Sequence, residues 1–487
     1  MASPLRFLRA AVLITVFTAP AARAADPPAS HPRVQQALRL LEAWADGQHA
    51  YERLPGVSMA VVHDQTVLWS KGFGFTHVDK KVPATPETMY SICSISKLFT
   101  SVALMQQRDA GRLRLDDPVE RHLPWFKIEQ AHADSPPITV RGLLTHSAGL
   151  PREADAPYWT GPEYPFPTRE AVMERVGKQR TLYAAGRSYQ YSNLGLTLAG
   201  EVVAAVSGQA FDAYVRKNVL QPLGLKDTET DHRDDLRGGR LATGYTAPRR
   251  DGSRQAIPPY QVRGIVPAAG FTSTVLDLAR FASWQFRALA GGRDEVLSGN
   301  TLREMQRVQW MEPDWKISRG LGYGIWRHAD KTFVGHAGYC PGYQSELLLR
   351  PEEKLAVVFM ANTNGVDTRR WVRNAYLVVG PALKKALDDA KGAAPDPALE
   401  RYAGRYEVFT AGERVIVPWE DGLAAFPLPT ENPVSEDVFV KLKPSGEHRF
   451  RRVRDDGSLG EEVVFETGPD GQVARLLWHS NYSVRVR

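Results

Sequence analysis

Tyr90-Ser91-Ile92-Cys93-Ser94-Ile95-Ser96-Lys97-Leu98-Phe99-Thr100 carries a hydroxyl and an amine one helical turn apart at the head of an apolar segment. Leu98, Val102 and Met105 continue a helical period and Gly111 marks a stop, so residues 94–110 are predicted to form a helix. Side chains at i and i+3 share a helix face, which sets Lys97 within reach of the Ser94 oxygen. A lysine shielded from water gives up its proton more readily, because burial disfavours the ammonium. The pair reads as a nucleophile with its base. Ser-x-x-Lys spacing alone is common and most often marks a solvated surface pair, so the reading needs partners elsewhere in the chain.

Around this stretch, residues 56–62 read as a strand, His63-Asp64-Gln65 as a turn and residues 66–70 as a second strand. Asp116-Asp117-Pro118 opens a new element, and helical stretches at 196–206 and 274–289 alternate with loops rich in proline and glycine. Strands return at 323–326, 333–337, 344–349 and 355–361, followed by a helix over 372–387. Strands at both ends with helices between them imply one shared sheet, an α+β arrangement. Residues 25–389 therefore form one domain, and residues 390–397, with Lys391-Gly392-Ala393-Ala394-Pro395, read as a linker. Beyond it, Asp421-Gly422, Asp456-Gly457 and Asp470-Gly471 punctuate short runs of Val, Phe and Arg, which predicts a small β domain over 398–487.

The 487 residues suffice for two or three domains, and 43% hydrophobic with 24% charged residues is the balance of an ordinary folded protein. Arg6 and Arg9 flank an apolar run at 10–17, and Ala22-Arg23-Ala24 follows as a small-residue cleavage site. Residues 1–24 thus read as a secretory signal peptide cut after Ala24, too short for a membrane span. No cysteine stands near the cut to carry a lipid, and no later stretch is long and apolar enough for a bilayer. The expectation is a periplasmic or secreted protein without a transmembrane anchor. Losing Arg6, Arg9 and Arg23 leaves 58 Lys+Arg against 55 Asp+Glu, a net charge of +3 that does not point to nucleic acid. Export leads to oxidising compartments, where a disulfide persists; the chain has two cysteines, Cys93 and Cys340.

Two further motifs supply the missing partners. Tyr191-Ser192-Asn193 precedes an apolar segment, and His336-Ala337-Gly338 lies inside a predicted strand. A tyrosine able to share a proton with a lysine is a credible general base, and a strand ending in glycine lets a substrate backbone lie close against it. With Leu143-Leu144-Thr145-His146-Ser147-Ala148-Gly149-Leu150-Pro151 and Pro267-Ala268-Ala269-Gly270-Phe271-Thr272-Ser273-Thr274 in order between them, the chain resembles the serine β-lactamase and penicillin-binding-protein superfamily. Within it, the resemblance is to a class C-like branch that includes D-aminopeptidases, DD-peptidases and esterases, and it spans roughly residues 50–385.

The resemblance implies a β-lactamase/transpeptidase-like fold, an antiparallel sheet flanked by helices plus an all-helical part. It implies that Ser94 is acylated, that Lys97 and Tyr191 form its proton relay, and that Asn193 hydrogen-bonds Lys97 and the substrate amide. The backbone N–H groups of Ser94 and Tyr339 would form an oxyanion hole, each donor worth roughly 3 to 4 kcal/mol. Water would release the acyl group, with no cofactor and no metal, from a small-molecule or peptide substrate; the oligomeric state stays open. Rival readings are a β-lactamase or DD-peptidase, and a penicillin-binding or scaffold protein without turnover.

One residue departs from the pattern. β-Lactamases and DD-peptidases of the superfamily usually carry lysine where this chain has His336, and a histidine is largely neutral at pH 7. Recognition of a substrate carboxylate should be weaker, which moves the expected substrate from β-lactams toward peptides with D-residues or small esters. His336 retains the capacity to donate a hydrogen bond or to help protonate Tyr191. A bridge between Cys93 and Cys340 would resemble the one beside the nucleophile in some class A carbapenemases, the alternative being two buried thiols. The C-terminal segment, with Tyr402-Ala403-Gly404-Arg405-Tyr406, resembles a lipocalin-like barrel appended to this family, there either to cover the cleft or to stabilise the fold.

Other residues read more plainly. His146 and Ser147 imitate a nucleophile elbow but lack its leading glycine and its following acid and histidine, so they read as a buried, hydrogen-bonded turn. The twelve histidines show no ligand-spaced pair. Tyr323 and Trp326 read as sheet packing, whereas Tyr339 and Tyr343 read equally as packing or cleft wall.

Overall fold

The computed structural model describes residues 28–236, 239–292, 294–389, 394 and 396–486. The signal peptide expected at 1–24, and residues 390–393 and 395 of the expected linker, lie outside the described residues.

The predicted hairpin is formed by β1 (Gly56–His63) and β2 (Thr66–His77). β2 continues well past Ser70, because its second half is a partly exposed ladder against β3 (Val82–Pro83) and carries little apolar alternation. β4 (Tyr90–Ser91) and β5 (Thr272–Ser273) form a separate two-stranded pair. The strands of the second half are β6 (Trp310–Met311), β7 (Ser318–Arg319), β8 (Gly324–His328), β9 (Lys331–Cys340), β10 (Tyr343–Arg350) and β11 (Leu355–Ala361). One antiparallel sheet joins both ends of the domain in the order β3-β2-β1-β11-β10-β9-β8-β7-β6.

β1 and β11 join the two ends of the domain within this sheet, with Val57 opposite Ala361 and His63 opposite Leu355. Their near-continuous apolar sequence follows from burial on both faces. Val57, Met59, Val61, Leu355, Val357 and Phe359 face a layer made by α1 (Pro32–Tyr51) and, from the C-terminal half, a helix over Thr368–Asp388. Ala60, Val62, Ala356, Val358 and Met360 face the opposite, larger helical core. That core is built around α2 (Ser96–Asp109), α3 (Asn193–Ser207) and α4 (Val275–Leu289); the Thr368–Asp388 helix is α5. Each buried aliphatic side chain contributes roughly 1.5–3 kcal/mol relative to exposure, so this two-sided layer fixes the strand register.

The C-terminal segment closes into an eight-stranded antiparallel barrel between Gly404 and Arg485. The three Asp-Gly pairs lie at its hairpin turns. Its interior is filled by Tyr402, Tyr406, Phe450, Phe465 and Trp478 with smaller aliphatics. Its outer face, through Val415, Val417, Phe426 and Leu428, packs on α1 and α5. Trp44 of α1 donates its indole N–H to the Thr430 carbonyl at 3.3 Å. Among the described residues no single helix is long and apolar enough to cross a membrane.

Candidate active site

The segment Cys93–Ile95 is a 3₁₀ turn, and α2 begins only at Ser96, two residues later than the sequence period suggests. Three contacts hold this turn. Ile92 N donates to Phe271 O at 2.9 Å, Ser96 Oγ donates to Cys93 O at 2.5 Å, and Phe271 N donates to Ser96 Oγ at 3.0 Å. Cys93 takes a left-handed backbone, φ +51°, which aims Ser94 out of the core into the cleft. Its sulfur is bridged to Cys340 at the end of β9, with Cα atoms 5.7 Å apart.

Lys97, completely buried, reaches three groups from the first turn of α2. Its Nζ lies 3.0 Å from Ser94 Oγ, 2.8 Å from Asn193 Oδ1 and 2.7 Å from the carbonyl oxygen of Ala268. Burial holds its amine well below the usual lysine range, opposed by the carboxylate of Glu153 and assisted by Arg152 and Arg319. Asn193 is the first residue of α3, capped by Ser192, whose Oγ accepts from Gly195 N at 2.8 Å. The sequence period starts that helix later, because asparagine is a poor helix former and the cap alone recruits it. Asn193 Nδ2 donates to Glu153 Oε1 at 2.6 Å, which fixes the amide so that its oxygen faces Lys97.

Tyr191 sits over this pair, its ring centre 5.0 Å from Lys97 Nζ. Burial pushes its phenol up to about 12, against a hydrogen bond with Ser94 and the charge of Arg152. His146 stacks on the tyrosine ring at 4.4 Å and accepts the Ser192 N–H at Nδ1, 3.1 Å away. The imitation of a nucleophile elbow is thus a buried turn, φ +60° at His146, that backs Tyr191. His336 lies on the other side, ring centres 6.3 Å apart. Burial and the charges of Lys97 and Arg319 push its imidazole down to about 3, so it is neutral. Its Nδ1 lies 2.6 Å from Ala337 O and therefore holds the hydrogen, leaving Nε2 as a buried acceptor without a partner. In this tautomer the Nδ1 hydrogen goes to the Ala337 carbonyl, and Nε2 faces Tyr191 as an acceptor.

β9 pairs with β10 through Cys340, but with β8 only as far as Gly335. Its second edge from His336 onward therefore faces the cleft, with Tyr339 exposed on the rim. Gly338 lines the cleft and has a packing role as well. A Cβ there would stand 2.3 Å from the Ile92 carbonyl and 2.2 Å from Ser345 Oγ, so its bareness admits the nucleophile's own turn against the strand. Tyr323 is buried packing, donating to Gln285 Oε1 at 2.9 Å. Trp326, read as packing, lines the cleft, while Tyr343 is buried away from it and donates to Ala242 O at 2.6 Å. No barrel residue lines this cleft of about 400 Å³, so among the described residues the barrel meets the helix layer instead.

Glu153, Arg152, Arg319 and the Ala268 carbonyl are site members that sequence reasoning missed. The Ala268 carbonyl belongs to a stretch already singled out, but a carbonyl leaves no side-chain signature. Among the described residues, no group of three His, Cys, Asp or Glu side chains is arranged to hold a metal ion.

The sequence profile of the family described as Beta-lactamase matches residues 41–379, more than half of the chain. The chain belongs to the β-lactamase family. Human beta-lactamase-like 1 is 30% identical over 368 residues, covering 72% of this chain and 71% of the relative. Protein flp of Staphylococcus aureus strain MW2 is 28% identical over 329 residues, covering 64% of this chain and 60% of its own length. The solved octameric penicillin-binding protein homologue from Pyrococcus abyssi superposes with a TM-score of 0.63 at 25% identity. It covers 92% of this chain and is covered completely.

Proposed function

We propose that this chain is an exported serine hydrolase that cleaves an amide or ester bond through an acyl-enzyme on Ser94, acting as a peptidase or esterase without a cofactor. The bonding of Lys97 carries this reading. The Ala268 carbonyl and Asn193 Oδ1 can only accept, so they take two N–H hydrogens. A neutral amine has two such hydrogens and one lone pair, and the lone pair is left for the Ser94 hydroxyl. The Ser94 proton then passes to Lys97 as Oγ bonds the acyl carbon, while the N–H groups of Ser94 and Tyr339 stabilise the oxyanion. Tyr191, whose high pKa keeps it protonated, gives its proton to the departing amine or alcohol and is refilled from Lys97. Water deacylates by the reverse transfers. Export is supported by the signal-like sequence at 1–24, with basic residues, an apolar run and a small-residue site, and by the Cys93–Cys340 bridge, which suits an oxidising compartment.

A fluorophosphonate should label the intact chain on Ser94, and Ser94→Ala should abolish both the label and the turnover of p-nitrophenyl esters. An unlabelled wild-type protein would count for the scaffold reading. Parallel assays with D-amino-acid anilides and a chromogenic cephalosporin assign the substrate, and the cephalosporin should be the poorest of the three.

The charge of Glu153 favours the Lys97 ammonium, so Glu153→Gln should lower the lysine pKa further. The acidic limb of the kcat/KM profile is then expected to move to lower pH. A limb that stays in place would remove Glu153 from this circuit.

A further inference from the structure

Tyr158 is a buried titratable group that the chemistry on Ser94 leaves unused. It is completely buried, with its ring centre 5.8 Å from that of Trp159 and 5.5 Å from that of Phe166. Its hydroxyl donates to Glu153 Oε2. Burial and the charge of Glu153 push the phenol up, so it stays a donor. The other carboxylate oxygen, Oε1, accepts from the Asn193 amide and lies 3.4 Å from Arg152 Nε. The described residues that wall the Ser94 cleft include neither Tyr158 nor Glu153.

These contacts run in one direction. Tyr158 gives a hydrogen to Glu153, Asn193 gives one to the same carboxylate, and Lys97 gives one to the Asn193 oxygen. A side-chain amide can turn over, and a turned Asn193 would set N–H against N–H at Lys97. The carboxylate on its nitrogen side prevents this. That carboxylate has a competing partner, because the Arg152 side chain is 61% exposed and an unpinned Glu153 would follow it toward solvent. The loop backbone is held separately: Asn193 N donates to Arg152 O at 2.9 Å, and Gln179 Nε2 donates to Glu153 O at 2.9 Å. What is left to Tyr158 is the direction of the Glu153 side chain.

We propose that Tyr158 is a positioning residue for the base: its hydroxyl pins the Glu153 carboxylate, which keeps the Asn193 oxygen toward Lys97 and an anion beside the amine. The other groups around Lys97 are the cations Arg152 and Arg319 and the neighbours Tyr191, His146 and His336. Losing the anion therefore favours the neutral amine, which is then a weaker and less well oriented base. The effect on turnover rests on the reading of Lys97 as the base for Ser94; the effect on the titration of Lys97 does not.

Tyr158→Phe removes the hydroxyl and keeps the ring. It should lower kcat for a p-nitrophenyl ester about tenfold with KM unchanged, the scale of a small misplacement. The acidic limb of kcat/KM should move to lower pH, the direction expected for Glu153→Gln, and adding Tyr158→Phe to Glu153→Gln should change neither quantity again. Phe166→Leu loosens the same aromatic contact without touching the hydroxyl, so it should lower the melting temperature and leave the limb in place. Carbon-13 NMR of the lysine side chains, with the Lys97 signal assigned by its loss in Lys97→Met, follows the amine without turnover. Its midpoint should fall in Tyr158→Phe, whether or not that variant melts early. An unmoved midpoint or limb, losses that add in the double variant, or a limb that moves as far in Phe166→Leu would overturn the proposal. Ser94 labelling is scored separately: a chain that takes no label but shows the lowered midpoint keeps the positioning role and loses the hydrolase reading, and labelling with an unmoved midpoint does the reverse.

Discussion

Lys97→Met should reduce turnover of a p-nitrophenyl ester, and the rate of Ser94 labelling, by about a thousandfold, the scale of a lost general base. Methionine has nearly the length of lysine and no amine, so it fills the same buried space beside α3 while leaving Ser94 without an acceptor for its proton. The effect on folding should run the other way. Lysine is held here at a desolvation cost, so an apolar side chain of similar volume is expected to leave the melting temperature unchanged or raised, even with Asn193 Oδ1 and the Ala268 carbonyl losing a donor. The pH profile adds a second check. Burial lowers the amine pKa, so the base form persists to lower pH than in an ordinary lysine and activity falls as pH drops through that lowered value. Lys97→Met should lose that limb together with the rate. Wild-type rates in this variant would transfer the role of base to Tyr191.

That strands at both ends of the domain share one sheet was legible from strands placed on either side of a helical stretch, and β1 and β11 read as nearly continuous apolar runs because both of their faces are buried. The serine, lysine and tyrosine that the fold brings together were legible for a different reason: each is a side chain whose chemistry is unusual where it stands. What stayed hidden falls into two physical classes. Backbone groups such as the Ala268 carbonyl have no residue-type signature. Single charges such as Glu153 and Arg319 look like any of the chain's other acids and bases until the fold sets them beside Lys97 and Tyr191. Gly338 belongs to neither class, since its need for a bare Cα was visible but its neighbour, the Ile92 carbonyl, was not. The start of α3 at Asn193 shows a third limit, where a capping serine extends a helix into residues that propensity leaves out.

Removing the disulfide should be the largest loss of stability available from this site. The bridge between Cys93 and Cys340 closes a loop with a sequence separation of 247, and the chain-entropy model assigns such a loop about 5 kcal/mol. The double variant Cys93→Ala with Cys340→Ala, which leaves no lone thiol, is therefore expected to shift the urea midpoint strongly downward with little change in slope. A local effect should accompany the global one. Cys93 stands at φ +51°, a conformation that costs a non-glycine residue about 1–3 kcal/mol and is held beside Ser94 by the bridge to β9. Once that tie is cut, an alanine at 93 is free to relax toward negative φ, turning Ser94 away from Lys97 and lowering activity well below the melting temperature. Glycine accepts positive φ without strain. Cys93→Gly with Cys340→Ala should then recover much of the activity at 25 °C while recovering none of the lost stability. If both double variants lose activity equally, the bridge acts by positioning β9 and its Tyr339 N–H rather than by holding the turn of the nucleophile.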